Sequence, residues 1–189
     1  MTTLPGEIDF GVLAHNLAEA EIRRVLYRYC RGIDRRDMAL VRTCYHPDAR
    51  DDHGDYVGGV DGFIEHCERT LPRFERTMHF LGNVLIEPTP SLDRARSEAY
   101  LVAMHRLRAN ARKPARDFWV GLRYVDDFAL RGGEWRIANR VCAFEWSRID
   151  LVQDGPFSFG PGDTMGLCSA DDAVFAKDLG ALIDARQMK

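Results

Sequence analysis

The 189-residue chain is 46% hydrophobic, 29% charged and 10% aromatic, the composition of a folded globular protein rather than a disordered one. Its 26 Lys and Arg against 29 Asp and Glu give a formal charge of -3 with the signs interspersed, so no basic field is present to attract nucleic acid. Five cysteines (Cys30, Cys44, Cys67, Cys142, Cys168) with no Cys-x-x-Cys pair argue against a disulfide framework or a zinc knuckle and predict reduced, mostly buried thiols.

One domain over residues 1–189 is the expectation, with a core over about 15–150 and a loop and C-terminal helix over 151–189. A chain of this length hides roughly 70% of the surface its unfolded form exposes, so the core needs no metal staple. The start, Met1-Thr2-Thr3-Leu4-Pro5-Gly6, lacks a basic and an apolar leader region, and no apolar run is long enough for a bilayer, so a cytoplasmic location without membrane contact is expected.

In chain order, Ile22, Val25, Leu26, Tyr29 and Ile33 recur at helical spacing with arginines between them, which predicts an amphipathic helix over 17–33 whose last turn Gly32 weakens. Asp37 starts a second, short helix that stops before His46-Pro47, because a residue preceding proline is pushed out of the helical region. The polar stretch 51–55 reads as a short strand and turn, and Asp61 as the cap of a third helix ending at Pro72. After Arg76 the period changes to two. Met78, Phe80, Val84 and Ile86 alternate with Thr77, His79, Leu81, Asn83 and Leu85, so both faces of that strand are largely apolar. Strands over 97–108, 117–128 and 134–146 follow, with Arg131-Gly132-Gly133 turning the last hairpin. Helices first and strands afterwards indicate an α+β fold, with helices on one face of a curved, mainly antiparallel sheet. The second sheet face, with candidates Met78, Phe80, Tyr100, Val102, Met104 and Tyr124, is expected to be covered by another copy in a homodimer or homotrimer. Glycine and proline punctuate residues 154–162, which reads either as a lid whose Phe157 and Phe159 fold over an apolar pocket or as an ordinary linker to the C-terminal helix, and a helical pattern resumes over 171–186.

Three residues can carry chemistry. His79 has a mixed set of neighbours in which an imidazole could face a cavity, as well as being a satisfied core histidine. Asp34 lies at the edge of the first helix's apolar stripe, and Tyr29 lies within it, where a buried phenol needs a partner. His46, Asp48, Asp51, Asp52, His53 and Asp55 invite a metal reading, but their spacing matches no EF-hand or zinc pattern, and a solvated turn explains them as well. His105 alternates with Leu101, Ala103 and Leu107 and is read as core or pocket lining.

The segments Tyr29-Cys30-Arg31-Gly32-Ile33-Asp34-Arg35-Arg36-Asp37 and Thr77-Met78-His79-Phe80-Leu81-Gly82-Asn83 resemble the SnoaL-like branch of the nuclear-transport-factor-like superfamily, a likeness covering about residues 19–146 in element order. It implies a cone-shaped α+β barrel around a deep apolar pocket, and a catalytic dyad carried over to Asp34 and His79, with Tyr29 assisting. No cofactor or metal is implied. Some relatives use an arginine near the last strand's end, which corresponds here to Arg140 or Arg148, and Asn83, His105 and Trp119 are further candidates to line the pocket. Where scytalone dehydratases have further polar pocket residues this chain has Ala111, Trp119 and Gly121, which argues against that substrate. The resulting expectation is a cofactor-independent lyase, a dehydratase or dehydrohalogenase, or an isomerase, acting on a small apolar molecule of polycyclic or steroid-like kind. The alternatives are a non-catalytic β subunit of a ring-hydroxylating dioxygenase, which shares the fold without the dyad, and a small-molecule-binding module, which needs no base.

Overall fold

A computed structural model describes residues 9–152, 159–160 and 163–187. Helix α1 (Phe10–Arg35) begins earlier than its apolar stripe predicts, because Asp9 caps it by accepting from Gly11 N at 2.8 Å and Val12 N at 3.2 Å. Its first turns are exposed, so no core periodicity announces them. Helix α2 (Met38–Thr43) is capped by Asp37, whose side chain accepts from Leu40 N at 2.9 Å. Strands β1 (Tyr45–Asp52) and β2 (Val57–Gly59) form a small hairpin, and α3 (Val60–Thr70) follows. Asp61 is not the cap of α3: Gly59 holds that position, and Asp61 sits in the first turn and pairs with Arg42. Four long strands complete the sheet: β3 (Phe74–Pro88), β4 (Arg94–Leu107), β5 (Arg116–Arg131) and β6 (Glu134–Leu151).

The sheet order is β2-β1-β6-β5-β4-β3, antiparallel except where β1 runs parallel to β6. It curves without closing, so the expected cone is open between its edge strands. Helix α1 packs against β3 and β6, and α3 against β1 and β2. Two register shifts in β6 pairing, at Gly121/Leu122 and Asp127/Phe128 of β5, each place an extra β6 residue in the ladder and bend it. The β1 register shifts between Tyr45 and Arg50, which is where Pro47, lacking an amide hydrogen, escapes the ladder. The core gathers Ile22, Val25, Leu26 and Ile33 of α1 against Phe63 of α3 and Ala99, Leu101, Leu122 and Ile137 of the sheet.

One bulge decides which residues face inward. The β3–β4 register shifts between Leu81 and Val84, so Thr77, His79 and Leu81 share the helix-side face before it, and Val84 and Ile86 do so after it. Asn83 and Leu85 are thereby turned to the exposed side, contrary to an unbroken alternation. Tyr124 also departs from expectation: it stands on the inner face of β5 with Val120 and Leu122 and is 1% exposed. Met78, Phe80, Tyr100, Val102 and Trp146 are exposed on the outer face.

The C-terminal pattern is shorter than expected. Helix α4 spans Leu179–Gln187, and a 3-10 turn occupies Ala173–Phe175, capped by Asp172. The lid expectation falls mostly on residues outside the described ones. Phe157 is among those, while Phe159 is exposed. No helix among the described residues is long and apolar enough to cross a membrane.

Gly32 serves the α1–α2 joint. A Cβ there would stand 2.6 Å from Val41 Cγ2 and 3.2 Å from the Asp37 carbonyl, and Val41 is fully buried. Alanine would gain about 1 kcal/mol of helix propensity, but overpacking typically costs ~1–3 kcal/mol. Gly32→Ala is therefore expected to lower the urea midpoint; an unchanged or raised midpoint would show that α2 moves aside freely.

Candidate active site

A cavity of about 440 Å³ opens between α1, α3 and the inner face of the sheet. Ile33, Phe63, Phe74, Val120 and Leu122 make most of its wall apolar, and His79, His53, His105 and Tyr29 interrupt that wall. Such a site, apolar with a few convergent polar groups, suits a small organic ligand.

His79 and Asp34 meet at its edge. The Asp34 Oδ1 lies 2.7 Å from His79 Nδ1, and the second carboxylate oxygen accepts from the His79 backbone N–H at 2.9 Å. Asp34 reaches β3 because α1 continues to Arg35 and ends on Arg36 in the left-handed region (φ 55), whose guanidinium donates to the Phe74 carbonyl at 2.6 Å. Both dyad side chains are mostly buried. Burial raises the Asp34 carboxyl, but the hydrogen bonds and charge of His79 outweigh it and hold the group below its ordinary value of 3.8. The far side of the dyad is backed by the C-terminal segment, where Asp172 pairs with Arg35 at 3.1 Å and Arg31 lies over the Phe175 ring.

His105 stands edge-on to His79, ring centroids 5.3 Å apart, and packs on Phe74 and Phe118. Burial, then the charge of His79, lowers its pKa to about 3, so it is a neutral imidazole near neutral pH, and its Nδ1 is buried without a hydrogen-bond partner among the described residues. The unfolded chain protonates this imidazole near 6.5 while the folded one does so only near 3. Stability is therefore expected to fall as pH drops through that window, with a further loss below 3.8 as Asp34 is protonated. His105→Phe should flatten the first limb in urea midpoints measured against pH; an unaltered limb would assign it to other groups.

Tyr29 lines the cavity, its ring edge-on to Tyr45 and Tyr124, and burial first of all pushes its phenol well above the ordinary value of 10.0. It stays protonated and is a hydrogen-bond donor. Its hydroxyl is 3.5 Å from His53 Nε2.

The remaining candidates lie elsewhere. Arg140 does not reach the cavity: it is buried in a two-point ion pair with Asp126, both N···O distances 2.7 Å, and its guanidinium lies 4.1 and 3.9 Å from the Tyr29 and Tyr124 ring centroids. Trp119 points to the outer face, since its neighbours Phe118 and Val120 point inward, and Arg148 lies over it while pairing with Asp150. Asn83 is exposed at the β3 bulge. The acidic cluster disperses: His46 contacts the Ala129 carbonyl, Asp48 pairs with Arg131, Asp52 accepts from Gly54 N, and Asp55 faces His66. Among the described residues no three His, Cys, Asp or Glu side chains converge as a metal site. Sequence reasoning missed His53 as a cavity residue; the Asp51-x-His53 spacing on strand β1 and its extension, which puts both on one face, was the available signal.

Residues 14–141 match the family model of the SnoaL-like domain. Among solved structures, the chain is similar to a putative scytalone dehydratase of Novosphingobium aromaticivorans at 18% identity and TM-score 0.66, covering 75% of this chain and 93% of that one. It is also similar to a hexachlorocyclohexane dehydrochlorinase of Novosphingobium barchaimii at 16% identity and TM-score 0.64, covering 79% and 98%. A Mycobacterium tuberculosis protein of unknown function aligns over 94% of this chain and 93% of its own at 22% identity and TM-score 0.60. A search of the curated proteins finds no match.

Proposed function

The chain belongs to the SnoaL-like domain family, and from that premise we propose that it is a cofactor-independent lyase or isomerase acting on a small apolar molecule of polycyclic or steroid-like kind. The observation that carries this reading is the 2.7 Å Asp34–His79 contact at the edge of an apolar cavity. A carboxylate that accepts the Nδ1 proton fixes the tautomer and leaves Nε2 to take a proton from substrate carbon; it then stabilises the imidazolium that forms. Tyr29, neutral and lining the same cavity, donates to the oxygen on which charge develops. His105, a neutral imidazole, adds its ring to the cavity wall beside His79. Collapse of the carbanion then expels a leaving group, or returns the proton elsewhere as an isomerisation. A dehydratase and a dehydrochlorinase with this fold are consistent with elimination.

The test is elimination from polycyclic hydroxy and halo compounds by protein treated with EDTA, with His79→Ala as the control. Activity that needs an added metal ion would sink the reading.

Self-association belongs to the same reading. Monomers rarely expose apolar patches beyond a few hundred Å², and the outer sheet face presents Met78, Phe80, Tyr100 and Trp146. A homodimer or homotrimer is expected by light scattering at micromolar concentration; a strictly monomeric mass would contradict it.

A further inference from the structure

A second carboxylate–imidazole pair faces the same cavity. His53 Nδ1 lies 2.8 Å from Asp51 Oδ1, while Asp51 Oδ2 accepts the Tyr45 hydroxyl at 2.6 Å. Asp51 is 1% exposed. The other imidazole nitrogen, Nε2, is directed to Tyr29 Oη at 3.5 Å, and both His53 and Tyr29 line the cavity that His79 also lines. Phe63 lies against the His53 ring, centroids 4.8 Å apart, and fixes its plane. The two pairs come from different elements: Asp34 and His79 from the end of α1 and from β3, Asp51 and His53 from β1 and the turn after it.

We propose that His53, oriented by Asp51, is the general acid of this site, and that the substrate is therefore a β-hydroxy carbonyl compound, whose leaving hydroxyl must be protonated as it departs. Burial acts to raise the Asp51 carboxyl, but the His53 hydrogen bond and charge outweigh it and hold it below its ordinary value, so Asp51 stands as a carboxylate against His53 Nδ1. The inference rests on the elimination proposed above. His79 Nε2 takes the proton from the carbon next to the carbonyl; that C–H pair becomes the new C=C bond, the C–O bond breaks with its electrons, and the oxygen takes the proton of His53 Nε2 and leaves as water. His79 ends with one proton more and His53 with one fewer, and exchange with water through the open cavity resets both. A halide or carboxylate leaves without a proton, so a site built only for such groups would have no use for a second imidazole held against a buried carboxylate.

The experiment compares 4-hydroxy-4-phenylbutan-2-one with its O-acetyl ester, which expels acetate and needs no acid. The unmodified protein is expected to form the same enone from both. His53→Gln should lower turnover of the hydroxy ketone by about 10²-fold and leave the ester nearly unchanged, and Asp51→Asn should show the same selectivity with the imidazole retained. His79→Ala should lose both reactions. Equal losses on the two substrates in His53→Gln, melting like the unmodified protein, would overturn the proposal, as would elimination of acetate but never of water by the unmodified protein. Should Asp51→Asn fail to fold, His53→Gln decides alone. If His79→Ala keeps both rates, the base assignment fails instead, and this outcome is distinct because the His53 comparison is read as a ratio between substrates.

Discussion

His79→Ala is expected to lower turnover on the order of 10²- to 10⁴-fold, the usual contribution of a positioned general base, with little change in KM. The imidazole lies at the rim of a preformed apolar wall made largely by other residues, so its removal leaves binding area nearly intact. Imidazole added to the solution should restore part of the rate, because the cavity of about 440 Å³ has room for it beside substrate once the side chain is gone. Asp34→Asn should act through the same step. The amide can still accept from the His79 backbone N–H, but it no longer stabilises a cationic ring, so kcat falls while the melting temperature shifts modestly. Wild-type turnover in His79→Ala would remove the base assignment altogether.

The largest effect on stability is expected at Asp126→Leu. Arg140 and Asp126 are fully buried and joined by two hydrogen bonds, and the guanidinium is stacked between Tyr29 and Tyr124. Burial pushes the Asp126 carboxyl above its ordinary value against the lowering pull of Arg140, a sign of how much the site depends on the pairing. Taking one partner away strands the other charge without water, which costs about 3–5 kcal/mol. Replacing both, as in Asp126→Leu with Arg140→Met, should recover most of that loss, since matched apolar groups need no partner. Equilibrium urea unfolding of the two singles and the double checks this, and a single variant within about 1 kcal/mol of wild type, the scale of an exposed pair, would contradict it. Because the Arg140 guanidinium carries the Tyr29 ring, the double variant should still lose activity even where it regains stability.

The α+β order, the first helix and the pairing of Asp34 with His79 were legible in the sequence. A helical stripe such as Ile22, Val25, Leu26, Tyr29 and Ile33 is a local property of the chain, and two short motifs carried the family resemblance. What the sequence could not specify was the face and neighbour of individual strand residues. A single inserted residue reverses every later side chain of a strand, and the bulge between Leu81 and Val84 did so for Asn83 and Leu85. Arg140 reads as a pocket arginine until the strand register sets it opposite Asp126 and seals it between two tyrosine rings. Asp51 and His53 read as a solvated turn until β1 joins β6, burying the carboxylate and turning the imidazole to the cavity. Helical periodicity is set by residues within a few positions of each other, whereas the partner of a buried charge is supplied by a strand distant in sequence, and only the folded chain brings the two together.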